Sequence, residues 1–277
     1  MWPKPNRDSR CDRRIAAVRA ATERDLLKEA QDAYPGNGDK HLFDVQMPYA
    51  LALSNELLDE KYDALVVDEA QDFSDDYWFA VDELLRHPDD GPLYIFIDEN
   101  QALYRRHGNL PVKDEPFHLT ANCRNTAPIH RAGYAYYTGA AVDEPDLPGQ
   151  DVNRLAVEGD VAQAEAVATT VRRLLAEGVR PEDIAVLLAK WPKARLYALV
   201  QAHRLPAGTA WSIETAGQRN SVLVDTVNRF KGLESPAVIL WLGDETVAAE
   251  EWEAVYVGTT RARSEEHTSE LQSHSFI

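Results

Sequence analysis

Two adjacent carboxylates at the end of an apolar run, Leu65-Val66-Val67-Asp68-Glu69, are the side chains here best placed by type and spacing to do chemistry. A short run rich in Val and Leu reads as a buried strand of a parallel sheet. Open α/β sheets take ligands at the carboxyl ends of their strands. At such a tip an Asp can hold hydrated Mg²⁺, and the next Glu can orient or deprotonate an attacking water. Helix capping accounts equally well for Asp72 or Ser74. It does not account for Asp68 and Glu69, which precede the turn. A second apolar run, Leu93–Ile97, also ends in polar residues, Asp98-Glu99-Asn100-Gln101. A third step, Phe117-His118-Leu119, leads into Thr120-Ala121-Asn122-Cys123-Arg124-Asn125-Thr126. Polar clusters at the ends of successive apolar steps favour one shared site.

The elements that must position these groups alternate in type. Helical spacing is predicted over 13–30, 48–58, 75–85, 127–137, 161–175, 194–203 and 250–260. Strands are predicted over 62–67, 93–97, 184–188, 222–227 and 237–242. Pro48 suits the first turn of its helix, where no backbone N–H is needed, and His87-Pro88 ends the next one. Alternation of this kind implies an α/β fold with parallel sheets. Residues 143–151, with Pro145, Pro148 and Gly149, read as a linker or surface loop. Gly36-Asn37-Gly38-Asp39-Lys40-His41 looks superficially like a phosphate loop. No buried strand precedes it and His41 replaces the needed hydroxyl, so an exposed turn is expected.

A chain of 277 residues suits two modest domains. No apolar run approaches the roughly 20 residues that span a membrane, and no apolar signal core follows Met1. Two cysteines, Cys11 and Cys123, make neither a disulfide framework nor a metal cluster, so a reducing, cytoplasmic setting is expected. The net charge of −17 argues against a general nucleic-acid binder. It leaves room for a local basic groove, and Arg105, Arg106, Arg229 and Lys231 are the candidates.

Five stretches, in order, resemble the later motifs of the UvrD/Rep type of superfamily 1 helicases. Val66–Asp72 resembles the second motif, Ile97–Tyr104 the third and Leu119–Asn125 the fourth. Thr226–Glu234 resembles the fifth, and Tyr256–Ala262 the sixth. The likeness spans about residues 60–262. It implies two RecA-like parallel-sheet domains, the first incomplete, with ATP and Mg²⁺ bound between them in the intact protein. By this resemblance Asp68 holds Mg²⁺, Glu69 activates water, and Gln101 senses the γ-phosphate. Arg124 and Arg261 act as arginine fingers, Glu234 reaches the ribose, and Lys231 couples nucleotide to the DNA path. Tyr104, Arg105 and Arg106 lie near single-stranded DNA, with RNA as the other polymer to consider.

Expected boundaries are a poorly defined segment 1–40, a partial first domain 41–140, a second domain 141–262, and a non-native or disordered tail 263–277. Three departures from the family pattern bear on activity. Nothing upstream of Asp68 matches the nucleotide-binding loop or the adenine-contacting segment. Cys123 stands where an aromatic usually packs on the base, and Ile97 replaces a common glycine. The reading is therefore the C-terminal part of an ATP-dependent DNA helicase or translocase, not competent as an ATPase alone. The alternatives are a non-catalytic nucleic-acid-binding or regulatory module, and a metal-dependent nuclease built on Asp68, Glu69 and Asp98.

Overall fold

The computed structural model describes residues 25–57, 61–98, 110–112, 114–189, 193–213, 218–242, 252–263 and 274–276. The chain divides into two compact units. One is Met1–Asp98 with Tyr104–Glu115, and the other is Glu99–Leu103 with Pro116–Ile277. Residues 116–140, grouped with the first domain in the sequence reading, thus fall in the second unit.

In the first unit, helix α1 (Leu26–Ala33) starts at Asp25, whose Oδ1 accepts the Lys28 N–H at 3.0 Å. That bond satisfies one of the orphan donors of the first turn. A π-helical turn, Leu42–Gln46, leads into α2 (Met47–Leu57). Strand β1 (Leu65–Val67), helix α3 (Asp75–Asp82) and strand β2 (Leu93–Ile95) follow. The strands pair in parallel, Leu65 with Leu93, Val66 with Tyr94, and Val67 with Ile95. Leu65, Val67 and Ile95 turn inward onto Ala70, Trp78 and Val81. Asn55 Nδ2 donates to the Ala80 carbonyl at 2.7 Å and ties α2 to α3. The opposite face of this sheet is open, with Val66 67% and Tyr94 59% exposed. The expectation of a strand buried on both faces is corrected here. Among the described residues two strands carry one covering layer, and alternate residues face outward.

The second unit contains α4 (Ala127–Tyr134), α5 (Asp160–Ala176), β3 (Ile184–Leu188), α6 (Lys193–Gln201), β4 (Ala210–Ser212), β5 (Ser221–Thr226), β6 (Ala237–Trp241), α7 (Trp252–Thr260) and β7 (His274–Phe276). Its sheet has the order β4-β5-β3-β6-β7, and every neighbouring pair is parallel. Ile184, Val186 and Leu188 of β3 point into one core, against Val167, Val171 and Leu174 of α5 and Leu196 and Val200 of α6. Ala185 and Leu187 point into the other, against Ile129 of α4 and Val255 and Val257 of α7. Alternation along one strand thus feeds two helical layers, and the mixed α/β class with parallel sheets is the observed one. Gly258 lets α7 approach β6, since a Cβ there would sit 2.6 Å from Leu240 Cδ1. β4 has no counterpart in the predicted elements, because Ala210-Trp211-Ser212 is too short for a periodic signal. The pairing of His274–Phe276 with β6 puts a strand inside the tail that was expected to carry none.

Candidate functional site

In the first unit, the tips of β1 and β2 meet through one side chain. Phe96 N–H bonds the Val67 carbonyl at 2.8 Å, and Ala70 N–H bonds the Phe96 carbonyl at 3.0 Å. Gln71 is buried between them. Its Nε2 donates to Glu69 Oε2 at 2.5 Å, and its Oε1 accepts the Asp98 N–H at 3.0 Å. Asp68 is exposed, and its Oδ1 accepts the Glu69 N–H at 2.9 Å. Glu69 has φ 55° and ψ 36°, in the left-handed region. A non-glycine residue there is uncommon and carries a cost, which is often found where a side chain must be aimed. Gln71 therefore braces the Glu69 side chain to the backbone of Asp98 at one sheet end, with Asp68 beside them in sequence. A lone carboxylate suits Mg²⁺ bound mainly through waters and phosphate oxygens. Among the described residues no group of three His, Cys, Asp or Glu is gathered to hold a metal ion. This arrangement gives no support to a three-carboxylate nuclease.

The Gly36–His41 stretch is not a phosphate cradle. The His41 ring packs against Gly36, where a Cβ would lie 2.3 Å from it, and His41 Nε2 bonds the Tyr34 carbonyl at 3.0 Å. The imidazole occupies the space beside Gly36, while Gly38 is open.

In the second unit, three separated segments converge. Asn125 is buried, and its Nδ2 donates to the carbonyls of Thr260 at 3.1 Å and Ala262 at 2.8 Å. Asn122 Oδ1 accepts the backbone N–H groups of Arg124 at 3.0 Å and Asn125 at 3.2 Å. Those donors fix which amide atom is the oxygen, so Asn122 Nδ2 is the donor facing His130 Nδ1 at 3.0 Å. His130 must then be neutral, with its proton on Nε2. Burial pushes this imidazole below its ordinary range, with the charge of Glu144 partly opposing. Its ring stacks on Tyr134, centroids 3.9 Å apart.

The loop after β5 is equally constrained. Phe230 is buried and anchors it, and Gly232 takes φ 78°. Ser235 N–H bonds the Arg261 carbonyl at 3.0 Å, and Arg263 N–H bonds the Ser235 carbonyl at 3.1 Å. Glu234 therefore lies beside the chain that carries Arg261 and Arg263. Its Oε1 accepts from Arg263 Nη1 at 2.6 Å, and Arg124 Nε lies 3.9 Å from its Oε2.

Several predicted site residues are thus brought together and others are not. Arg124 and Glu234 are neighbours. Arg261 is only 2% exposed, and its Nε donates to the Val257 carbonyl at 3.2 Å. It braces the end of α7. Lys231 is half-buried in the turn below Glu234. Gln101, Tyr104, Arg105 and Arg106 lie outside the described residues. Sequence reasoning passed over Gln71, Asn122, Asn125 and Arg263 as actors. Gln71, Asn122 and Asn125 were signalled only by lying inside polar clusters. A separate cavity of about 520 Å³ lies between α5 and β6, lined by Tyr136, Leu155, Val157, Thr170 and Trp241 among others. None of the predicted site residues lines it.

Two of the three converging segments, the loop after β5 and the end of α7, lie where one comparison falls. Residues 221–265 match the UvrD-like helicase C-terminal domain family. The matched segment holds β5, the Lys231–Glu234 turn, β6, α7 and the Arg261–Arg263 segment, which makes an isolated bridge to Ser235. A solved structure described as the C-terminal domain of a possible DNA helicase from Lactobacillus plantarum WCFS1 is 20% identical to this chain. It covers 47% of this chain and 74% of its own, with a TM-score of 0.35. At that score the likeness adds nothing to the functional argument. No curated protein matches the chain. Among the described residues no helix is long and apolar enough to cross a membrane.

Proposed function

We propose that this chain is the C-terminal part of an ATP-dependent DNA helicase or translocase. The observation that carries the reading is the UvrD-like match over residues 221–265, which takes in Lys231, Glu234 and Arg261. In this reading Asp68 holds Mg²⁺ and Glu69 activates water in the intact protein, while Arg124 stabilises charge developing on the transferred phosphoryl group. Arg261 positions the C-terminal end of α7, which is the role its burial favours. Single-stranded DNA is the polymer substrate, and Arg229, whose Nε lies 3.8 Å from Asp225 Oδ1, and Lys231 are the cations assigned to its backbone.

Hydrolysis by the chain as given is expected to be weak. The β- and γ-phosphates need a backbone cradle and a lysine, and the stretch that superficially looks like one has His41 in place of the hydroxyl, packed against Gly36. The test is DNA-stimulated ATPase activity, measured on this chain and on a version joined in frame to the genomic sequence upstream. The chain alone should stay near background. The extended protein should turn over ATP when single-stranded DNA is added and lose that activity on Glu69→Gln. An extended protein that folds, binds DNA and hydrolyses nothing would favour a nucleic-acid-binding module instead.

A further inference from the structure

The loop that carries Arg124 hangs in its middle on one side-chain amide, and that amide faces a histidine. At the start of the loop the Thr120 carbonyl accepts the Asp143 N–H at 2.6 Å, and Ala121 bridges Asp143. At its end Asn125 Nδ2 reaches the carbonyls of Thr260 and Ala262. Between these anchors the N–H groups of Arg124 and Asn125 both bond Asn122 Oδ1. The amino group of Asn122 is spent on the other side, on Asn125 Oδ1 at 3.2 Å and His130 Nδ1 at 3.0 Å. Asn122 thus cannot turn over to suit a protonated imidazole. A flip would set its amino group against two backbone donors and its oxygen against Asn125 Oδ1.

His130 has little room to yield either. It is 6% exposed, its N–H bonds the Thr126 carbonyl at 2.8 Å, and its ring stacks on Tyr134. Glu144, from the 143–151 stretch, is the charge that acts on it. Arg131, next along α4, shares that carboxylate, with its Nε 3.4 Å from Glu144 Oε1. From α7 comes Tyr256, which meets Tyr134 edge-on with centroids 5.5 Å apart. A proton on Nδ1 would set two donors face to face in this packed site, and the relief open to the loop is for Asn122 to let go of Arg124 and Asn125.

We propose that His130 is a proton-sensitive latch on the Arg124 loop, closed while Nδ1 is a bare acceptor and opened when that nitrogen is protonated. His130 is a positioning residue, since it reaches Arg124 through Asn122. The catalytic use of the latch rests on the role given to Arg124 above, whereas the latch itself is a property of the fold. Burial favours the neutral ring, so the latch opens below the ordinary histidine value of 6.5.

The experiment is a pH titration of the full chain by NMR, without nucleotide or DNA. At about pH 7.5 the imidazole nitrogen shifts should put the His130 proton on Nε2. As the pH falls to about 5, the Asn122 side-chain amide and the Arg124 and Asn125 backbone amides should move with the ring, at one midpoint below 6.5. Hydrogen-exchange protection factors of those two backbone amides should drop about two- to tenfold across it, the worth of a net hydrogen bond. In His130→Gln, which offers Asn122 an acceptor that does not titrate, the same amides should hold still. The parent titration decides even without the variant. A proton on Nδ1 at about pH 7.5, a midpoint at or above 6.5, or loop amides that ignore the ring would each overturn the proposal. So would amides that move equally in His130→Gln. A latch that works beside an extended protein with no DNA-stimulated ATPase would stand and remove the catalytic use of Arg124. An active extended protein whose loop ignores the ring would do the reverse.

Discussion

Strands β1 and β3 begin from nearly the same sequence, Leu-Val-Val in one and Ile-Ala-Val-Leu-Leu in the other, and end in different environments. Every residue of β3 is buried. In β1 the middle residue, Val66, faces outward and is 67% exposed. The difference lies in their neighbours. β3 is the third of five parallel strands with helices on both faces, whereas among the described residues β1 has one partner and one covering layer. An apolar run therefore declares what a strand is suited to, and the surrounding chain decides whether that suitability is used.

The largest expected effect follows directly. Leu187→Ala removes a fully buried side chain from the core between the sheet and α7, and should cost about 2–5 kcal/mol. Val66→Ala should stay within about 0.5 kcal/mol, as surface changes do. Thermal unfolding of both variants tests the pair. A Val66→Ala loss comparable to that of Leu187→Ala would mean that the outer face of β1 is covered in solution, and the contrast would fail.

The buried amides come next. Asn125 and Gln71 each bridge two segments of their own unit. Asn125 satisfies two backbone carbonyls, while Gln71 joins one carboxylate to one backbone N–H. Asn125→Ala leaves Thr260 and Ala262 without that donor and should cost about 1–3 kcal/mol, the range for stranding buried polar groups. Gln71→Ala should cost less, because the Glu69 carboxylate it releases is only half-buried and can turn to water. Equal losses would show that the two strand tips are as tightly locked as the arginine loop.

These contrasts also mark what the sequence could and could not disclose. The parallel α/β architecture was legible in the alternating patterns, and the strand tips at Asp68 and Asp98 were legible in their acidic endings. Half-burial of β1 was not, since the missing cover is a property of the neighbours and not of Leu-Val-Val. Glu234 and Arg124 were named, but the strand pairing that sets Arg263 beside Glu234 joins residues 29 apart, a separation that local patterning does not report. Arg261 carried the expectation of an arginine finger, and in the fold it is 2% exposed. It lies at the tight end of α7, where its N–H bonds the Gly258 carbonyl at 3.3 Å and its Nε donates to the Val257 carbonyl at 3.2 Å, neither of which local patterning reports.

A pH effect should separate the same two regions. The folded chain holds His130 below its ordinary value of 6.5 by burying it. On acidification the unfolded chain takes up this proton first. The contribution from neutral His130 is therefore complete above about pH 6.5 and is lost as pH falls through the lower folded value. Protonation at Nδ1 also sets an N–H against the Asn122 donor, which loosens the loop carrying Arg124. Thermal unfolding between pH 7.5 and 5 should show a fall for the parent chain, and a flatter profile for His130→Gln. That variant keeps an acceptor for Asn122 and cannot titrate. Identical profiles would take His130 out of the account.

The smallest expected effect concerns Glu69, where two opposing terms nearly cancel. Its left-handed backbone costs about 1 kcal/mol in a residue with a Cβ, and Glu69→Gly removes that cost. The same change deletes the carboxylate that accepts from Gln71 Nε2, a bond worth about 1.5–3 kcal/mol at most and less when half-exposed. Glycine also widens the freedom of the unfolded chain. The net should lie within about 1 kcal/mol of zero, while Glu69→Ala, which keeps the strain and loses the bond, should be the less stable of the two. The order of those two variants is the informative result. Alanine equal to glycine would mean that the turn relaxes once the carboxylate is gone, so that the contact with Gln71 imposes the left-handed conformation. Alanine below glycine would mean that the turn imposes it, and that the strand tip aims the Glu69 side chain whatever that side chain is.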